Sequence, residues 1–94
     1  MYKVIVSYFD YNPNDINPKE KIFTSASIAT NEDRFQLSQE VKNFIDTEIR
    51  PKYIPGYHLA HTVRLNFIKD DVMVKHHHTI NLDEAETDVV LWLE

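Results

Sequence analysis

With 94 residues, 43% of them apolar and 12% aromatic, the chain is long enough for one core and too short for two, so residues 1–94 are expected to form a single domain. It has no cysteine and one glycine, Gly56, which excludes thiol nucleophiles, cysteine-based zinc sites, disulfides and the glycine-rich turns that cradle phosphates. The formal charge is −5; residues 1–82 balance ten basic against ten acidic side chains, and Asp83, Glu84, Glu86, Asp88 and Glu94 make 83–94 an acidic segment, a balance that disfavours nucleic-acid binding because few phosphate counterions can be released.

Residues 2–11 are β-branched and aromatic without helical periodicity and predict a first, central strand. Two Asn-Pro pairs, Asn12-Pro13 and Asn17-Pro18, interrupt it with a long loop. Asp10, Asn12 and Asn14 fall at the first, third and fifth positions of a calcium loop. Asp15 then stands where glycine is required and Lys21 where a bidentate glutamate belongs, so Asx turns account for the composition better. Residues 22–30 predict a second strand, antiparallel to the first.

Thr30 or Asn31 begins a helix, with Glu32 and Asp33 at its positive end and Asp33 three residues after Thr30. Phe35, Val41, Phe44, Ile45 and Ile49 recur at spacings of three and four and predict the buried face, with Leu37 flanking it; Arg50-Pro51 ends the helix. Pro55-Gly56 marks a turn.

Residues 58–68 and 72–82 alternate regularly. A two-residue turn at Asp70-Asp71 would pair Lys69 with Val72, Phe67 with Val74, Leu65 with His76, Val63 with His78 and His61 with Ile80. The run Val89-Val90-Leu91-Trp92-Leu93 predicts a fifth strand or a short helix, and Leu93-Glu94 resembles a cloning remnant. The order strand, strand, helix, strand, strand predicts an α+β fold, a mixed or antiparallel ββαββ(β) sheet with one helix across one face, β-grasp-like in placing the first strand centrally beside a C-terminal one.

Five histidines, His58, His61, His76, His77 and His78, fall within this last hairpin. On the register above, His61, His76 and His78 share the apolar face, matching the ligand count of a catalytic zinc site, although no carboxylate joins them. Histidines among Val63, Leu65, Val74 and Ile80 otherwise need hydrogen-bond partners or an interface. Residues His77-His78-Thr79-Ile80 are similar to the His-x-Thr-apolar motif of two-histidine phosphoesterases, whose paired histidines serve as acid and base. The second copy which that family requires is lacking, since His61-Thr62-Val63 has no intervening residue, and the chain is shorter than the family's usual domain.

Tyr2, Tyr8, Phe9, Tyr11, Tyr53, Tyr57 and Trp92 exceed what one small core comfortably encloses, and any that are exposed favour interfaces, though most are expected in the core; strand edges that need covering make a homodimer a reasonable expectation. A nucleic-acid surface would require Lys3, Arg64, Lys69 and Lys75 on one face. The start, Met1-Tyr2-Lys3-Val4-Ile5-Val6, is too short and interrupted for a signal peptide or membrane span, and with the lack of cysteine it points to the cytoplasm. The abundance of Asn, Lys, Ile, Asp and Tyr fits an AT-rich coding sequence of a low-GC bacterium or phage. The expected function is that of a non-enzymatic accessory domain acting by protein contact or self-association, without a cofactor; the alternative is a zinc-binding or hydrolytic domain centred on His61, His76 and His78.

Overall fold

The computed structural model describes residues 2–26, 30–58, 60–70 and 72–89, with the backbone alone for 73–77. Strands β1 (Tyr2–Tyr8), β2 (Lys19–Ser25), β3 (Thr62–Lys69) and β4 (Val72–Asn81) form one sheet in the order β2-β1-β3-β4, every pairing antiparallel. β2 and β3 both run against β1 and are therefore parallel to each other. That relation demands a crossover, which helix α1 (Asn31–Phe44) supplies across one face. The α+β class and the ββαββ order expected from the sequence are realised, with β1 central.

The boundaries differ where local propensity meets pairing. β1 stops at Tyr8, and the second strand begins at Lys19 instead of residue 22, because Val4, Val6 and Tyr8 take Phe23, Lys21 and Lys19 as neighbours. The poor strand formers Lys19, Glu20 and Lys21 are tolerated on an exposed edge, where lysines also discourage further strand pairing. Residues 27–29 of the expected second strand and 90–93 of the expected fifth element lie outside the described residues; Val89 is irregular and half-buried.

Thr30 caps α1 by accepting a hydrogen bond from the Asp33 backbone N–H at 3.1 Å. The buried stripe is Leu37, Val41, Ile45 and Ile49, each four residues apart. Phe35, expected on that stripe, is 64% exposed: at about 100° per residue it lies roughly 160° from Leu37, and Leu37 takes the inward position. A π-helical turn over Ile45–Ile49 widens the helix and keeps Ile49 in line with Val41 and Ile45, before Arg50–Lys52 tighten into a 3₁₀ turn at Pro51.

This stripe packs on Tyr2, Val4 and Val6 of β1, Val63, Leu65 and Phe67 of β3, Ile80 of β4, and Leu82. Phe44 closes one end, meeting Tyr8 and Phe23 edge-on at 5.3 and 5.7 Å. Burial pushes the Tyr2 phenol up to about 12.

The β3–β4 hairpin corrects the expected register. Lys69 pairs with Val72 as predicted, with Asp70 at φ 51°, but between Asn66 and Ile68 the register shifts, so that Phe67 faces residues 74–76. Leu65 therefore pairs with His78 and Val63 with Ile80, in place of His76 and His78 respectively. Two extra residues on β4 preserve the alternation of faces. They also draw Ile80 beside Val63 and carry Leu82 inward, where its N–H donates to the His61 carbonyl at 2.7 Å. Burial of Ile80 and Leu82 favours this register over one that leaves a histidine against Val63.

Among the described residues no helix is long and apolar enough to cross a membrane.

Candidate functional site

Of the three candidate zinc ligands, His61 and His78 lie at different levels of the hairpin in the observed register. His61 precedes β3 and is exposed. His78 is half-buried opposite Leu65, four strand residues from the level of His61, or about 13 Å along a strand. Its Nε2 lies 2.8 Å from the Asp88 carbonyl oxygen; a carbonyl only accepts, so Nε2 carries the proton and donates. His78 thus has the partner that a histidine on an apolar face requires. The side chains of His76 and His77 lie outside the described residues. Among the described residues, no group of three or more His, Asp and Glu side chains could hold a metal ion.

The Asp10–Asn17 loop is a train of Asx turns. Asp10, Asn12 and Asp15 each accept, through Oδ1, from the backbone N–H two residues on, at 3.1, 2.9 and 3.1 Å. Lys19 donates to Asp15 at 2.7 Å and holds its carboxyl below the usual range, while Asp15 raises the lysine in return. These oxygens fix the loop instead of converging on a calcium ion.

The same loop forms one wall of a cleft of about 670 Å³ at one end of the sheet, facing the segment 52–60. Two local devices shape it. Ile54-Pro55-Gly56-Tyr57 is a type II turn: Gly56 takes φ 77°, and the Tyr57 N–H donates to the Ile54 carbonyl at 3.2 Å. His58 is then locked to Ile54 twice, donating its own N–H to the Ile54 carbonyl at 3.2 Å and accepting the Ile54 N–H on Nδ1 at 3.0 Å. An Nδ1 that accepts leaves the ring proton on Nε2.

Opposite, Tyr11 holds φ 57°, a left-handed conformation costing a bulky residue about 1–2 kcal/mol. Its hydroxyl donates to the Ala60 carbonyl at 2.7 Å and its ring lies 4.5 Å from His58 and 5.4 Å from Tyr53. Tyr57 meets His58 edge-on at 4.9 Å. Behind them the hydroxyl of the buried residue Tyr53 donates a hydrogen bond to Asp83, and that bond, with desolvation and the Asp83 charge, pushes the phenol up to about 12. Burial, then the charge of Asp83, also raises Tyr11.

Large apolar side chains surround the opening: Ile16, Ile54 and Tyr57 are 81%, 55% and 75% exposed. Sequence reasoning counted Tyr11, Tyr53 and Tyr57 among the surplus aromatics but missed Ile16 and Ile54. The available signal was their position, since isoleucine in an Asn- and Pro-rich loop and isoleucine before Pro-Gly are apolar residues where turns favour polar ones.

A second network lies at the end of α1. Arg50 donates from Nε to the Thr87 hydroxyl at 2.6 Å and from Nη1 to the Glu84 and Leu82 carbonyls at 2.8 and 3.3 Å; the buried Thr87 hydroxyl donates to Asp46 at 2.5 Å. Lys42 pairs with Asp46 at 2.6 Å. Burial pushes the Asp46 carboxyl up, but hydrogen bonds from Lys42 and Thr87 and the charges of Lys42 and Arg50 outweigh it and leave it lowered. The segment expected to be an acidic strip is thus clasped to the helix over 82–87. Of the four basic residues considered for nucleic acid, Lys3 and Arg64 share the open sheet face, whereas Lys69 is in register with Tyr2 on the helix side.

No protein-family model, curated protein or solved structure matches this chain.

Proposed function

We propose that the chain is a small non-enzymatic accessory domain that acts by protein contact through the cleft between the Asp10–Asn17 loop and the 52–60 segment. The observation that carries this reading is the exposure of Ile16, Ile54 and Tyr57 together around a concave apolar surface. Covering the three would contribute roughly 3–6 kcal/mol, close to the lower end of the cost of association, so a stable complex extends beyond the rim. His58 and His78 each commit one ring nitrogen to a backbone group, which fixes the orientation of the ring.

The test places the photo-crosslinking residue benzoylphenylalanine at position 57 and, as a control, at position 20 on the β2 edge, in lysate of the source organism and in purified protein, alongside sedimentation velocity. Crosslinks at 57 and not at 20, to a partner or to a second copy, are expected. A monomer at all concentrations with no crosslink at 57 overturns the proposal.

A further inference from the structure

We infer that the partner segment entering this cleft carries an aromatic side chain with a carboxylate beside it, an inference that rests on the contact reading above. The rings of Tyr11, Tyr57 and His58, within 5 Å of one another through His58, form a wall suited to a flat apolar group. The charge preference follows from which polar groups of the lining are already used. The Asp15 carboxylate takes the Lys19 ammonium and the Asn17 N–H, and the Asn12 side-chain oxygen takes the Asn14 N–H. The lining carboxylate is thus charge-paired, whereas two donors are uncommitted among the described residues: the His58 Nε2–H, fixed by the bond from Ile54, and the Lys52 ammonium, which has no salt bridge there. A cleft with donors to spare selects an acceptor, and an anion beside an apolar anchor uses both.

Ile16 and Tyr57 line the cavity yet are 81% and 75% exposed, so much of their surface faces outward from it and a small molecule seated inside covers only part. Covering the remainder favours an occupant that continues across the rim, as a polypeptide does. The aromatic anchor supplies most of the affinity and the exposed Lys52 mainly sets preference between charges.

The test is an amide NMR titration of the full chain with capped tetrapeptides of sequence Ala-Trp-Glu-Ala, its Gln and Lys replacements at the third position, and Ala-Ala-Glu-Ala. Shifts confined to residues 9–16 and 52–60 are expected. Affinity should fall about three- to fivefold from Glu to Gln and further to Lys, and about tenfold when Trp becomes Ala. Lys52→Glu should reverse the Glu-over-Lys preference, and Tyr57→Ser should weaken every peptide containing Trp; both positions are exposed, so folding is retained. Equal affinity for the Glu and Lys peptides, or shifts elsewhere, overturns the inference. Binding of free indole-3-propionate as tightly as the Glu peptide also overturns it, by assigning the cleft to small molecules. If no peptide binds while crosslinking at position 57 persists, the acidic-aromatic class falls and the contact reading stands; loss of both removes both.

Discussion

Thr87→Val tests whether the Arg50 clasp holds the chain after β4 against the helix. Valine keeps the volume and the β-branch but deletes a hydroxyl that accepts from Arg50 Nε at 2.6 Å and donates to Asp46 at 2.5 Å. Each is a hydrogen bond to a charged group, worth about 1.5–3 kcal/mol when its loss strands the partner. Neither partner is wholly stranded: Arg50 and Asp46 approach directly at 3.3 Å, and their side chains retain 18% and 32% exposure. Discounting for that solvent access leaves an expected loss of about 2–3 kcal/mol. In urea melts followed by circular dichroism, with a slope of about 1.5 kcal/mol/M, the midpoint should fall by roughly 1.3–2 M. Thr87→Ser retains the hydroxyl and forfeits one methyl, about 0.8 kcal/mol. A Thr87→Val midpoint within about 0.3 M of wild type, or a serine variant as damaged as the valine one, would refute the clasp.

Four further outcomes are expected. Asp46, whose folded pKa is lowered, stabilises the fold above its unfolded pKa of about 4 and loses that contribution as pH falls through the folded value; Asp46→Asn should lower stability at pH 7 and flatten its acid dependence, measured by urea melts between pH 2 and 7. Tyr2 and Tyr53, both pushed up to about 12, favour the neutral phenol in the fold, so stability should decline between pH 10 and 12, with delayed tyrosinate absorbance at 295 nm for these two residues. Leu65→Ala should cost about 2–5 kcal/mol because Leu65 is fully buried, whereas Phe35→Ser on the exposed face of α1 should stay within about 0.5 kcal/mol. One equivalent of zinc should leave the amide resonances of 58–64 and 74–80 in place, given the separation of His61 from His78 and the commitment of His78 Nε2 to Asp88; saturable shifts there would establish a histidine metal site.

Local chemistry settled the elements that depend on neighbouring residues alone. Thr30 followed by Glu32 and Asp33 set the helix start; Lys69 to Val72 set the hairpin connection; Pro55-Gly56 set a turn. The Asp- and Asn-rich loop formed the Asx turns that its composition favoured, each within two residues along the chain. Alternation also assigned Val63, Leu65, Phe67 and Ile80 correctly to the buried side.

Which histidine faces Leu65 is another matter. A two-residue shift leaves every face unchanged, so periodicity is blind to it, and only the burial of Ile80 and Leu82 beneath the helix selects it. That shift parts His61 from His78. The choice of Leu37 over Phe35 likewise depends on which residue meets the sheet, not on helical spacing in isolation.

Sequence by itself thus determined the identity of the four strands and the helix, the cap, the turns and the sidedness of the last hairpin, because those are fixed by dihedral preference and side-chain period over a few residues. The cleft joins residues near 11 to residues near 58, and the clasp joins Arg50 to Thr87. Tertiary structure alone decided these, because such contacts form only once the sheet and helix have closed the intervening chain and paid its loop entropy.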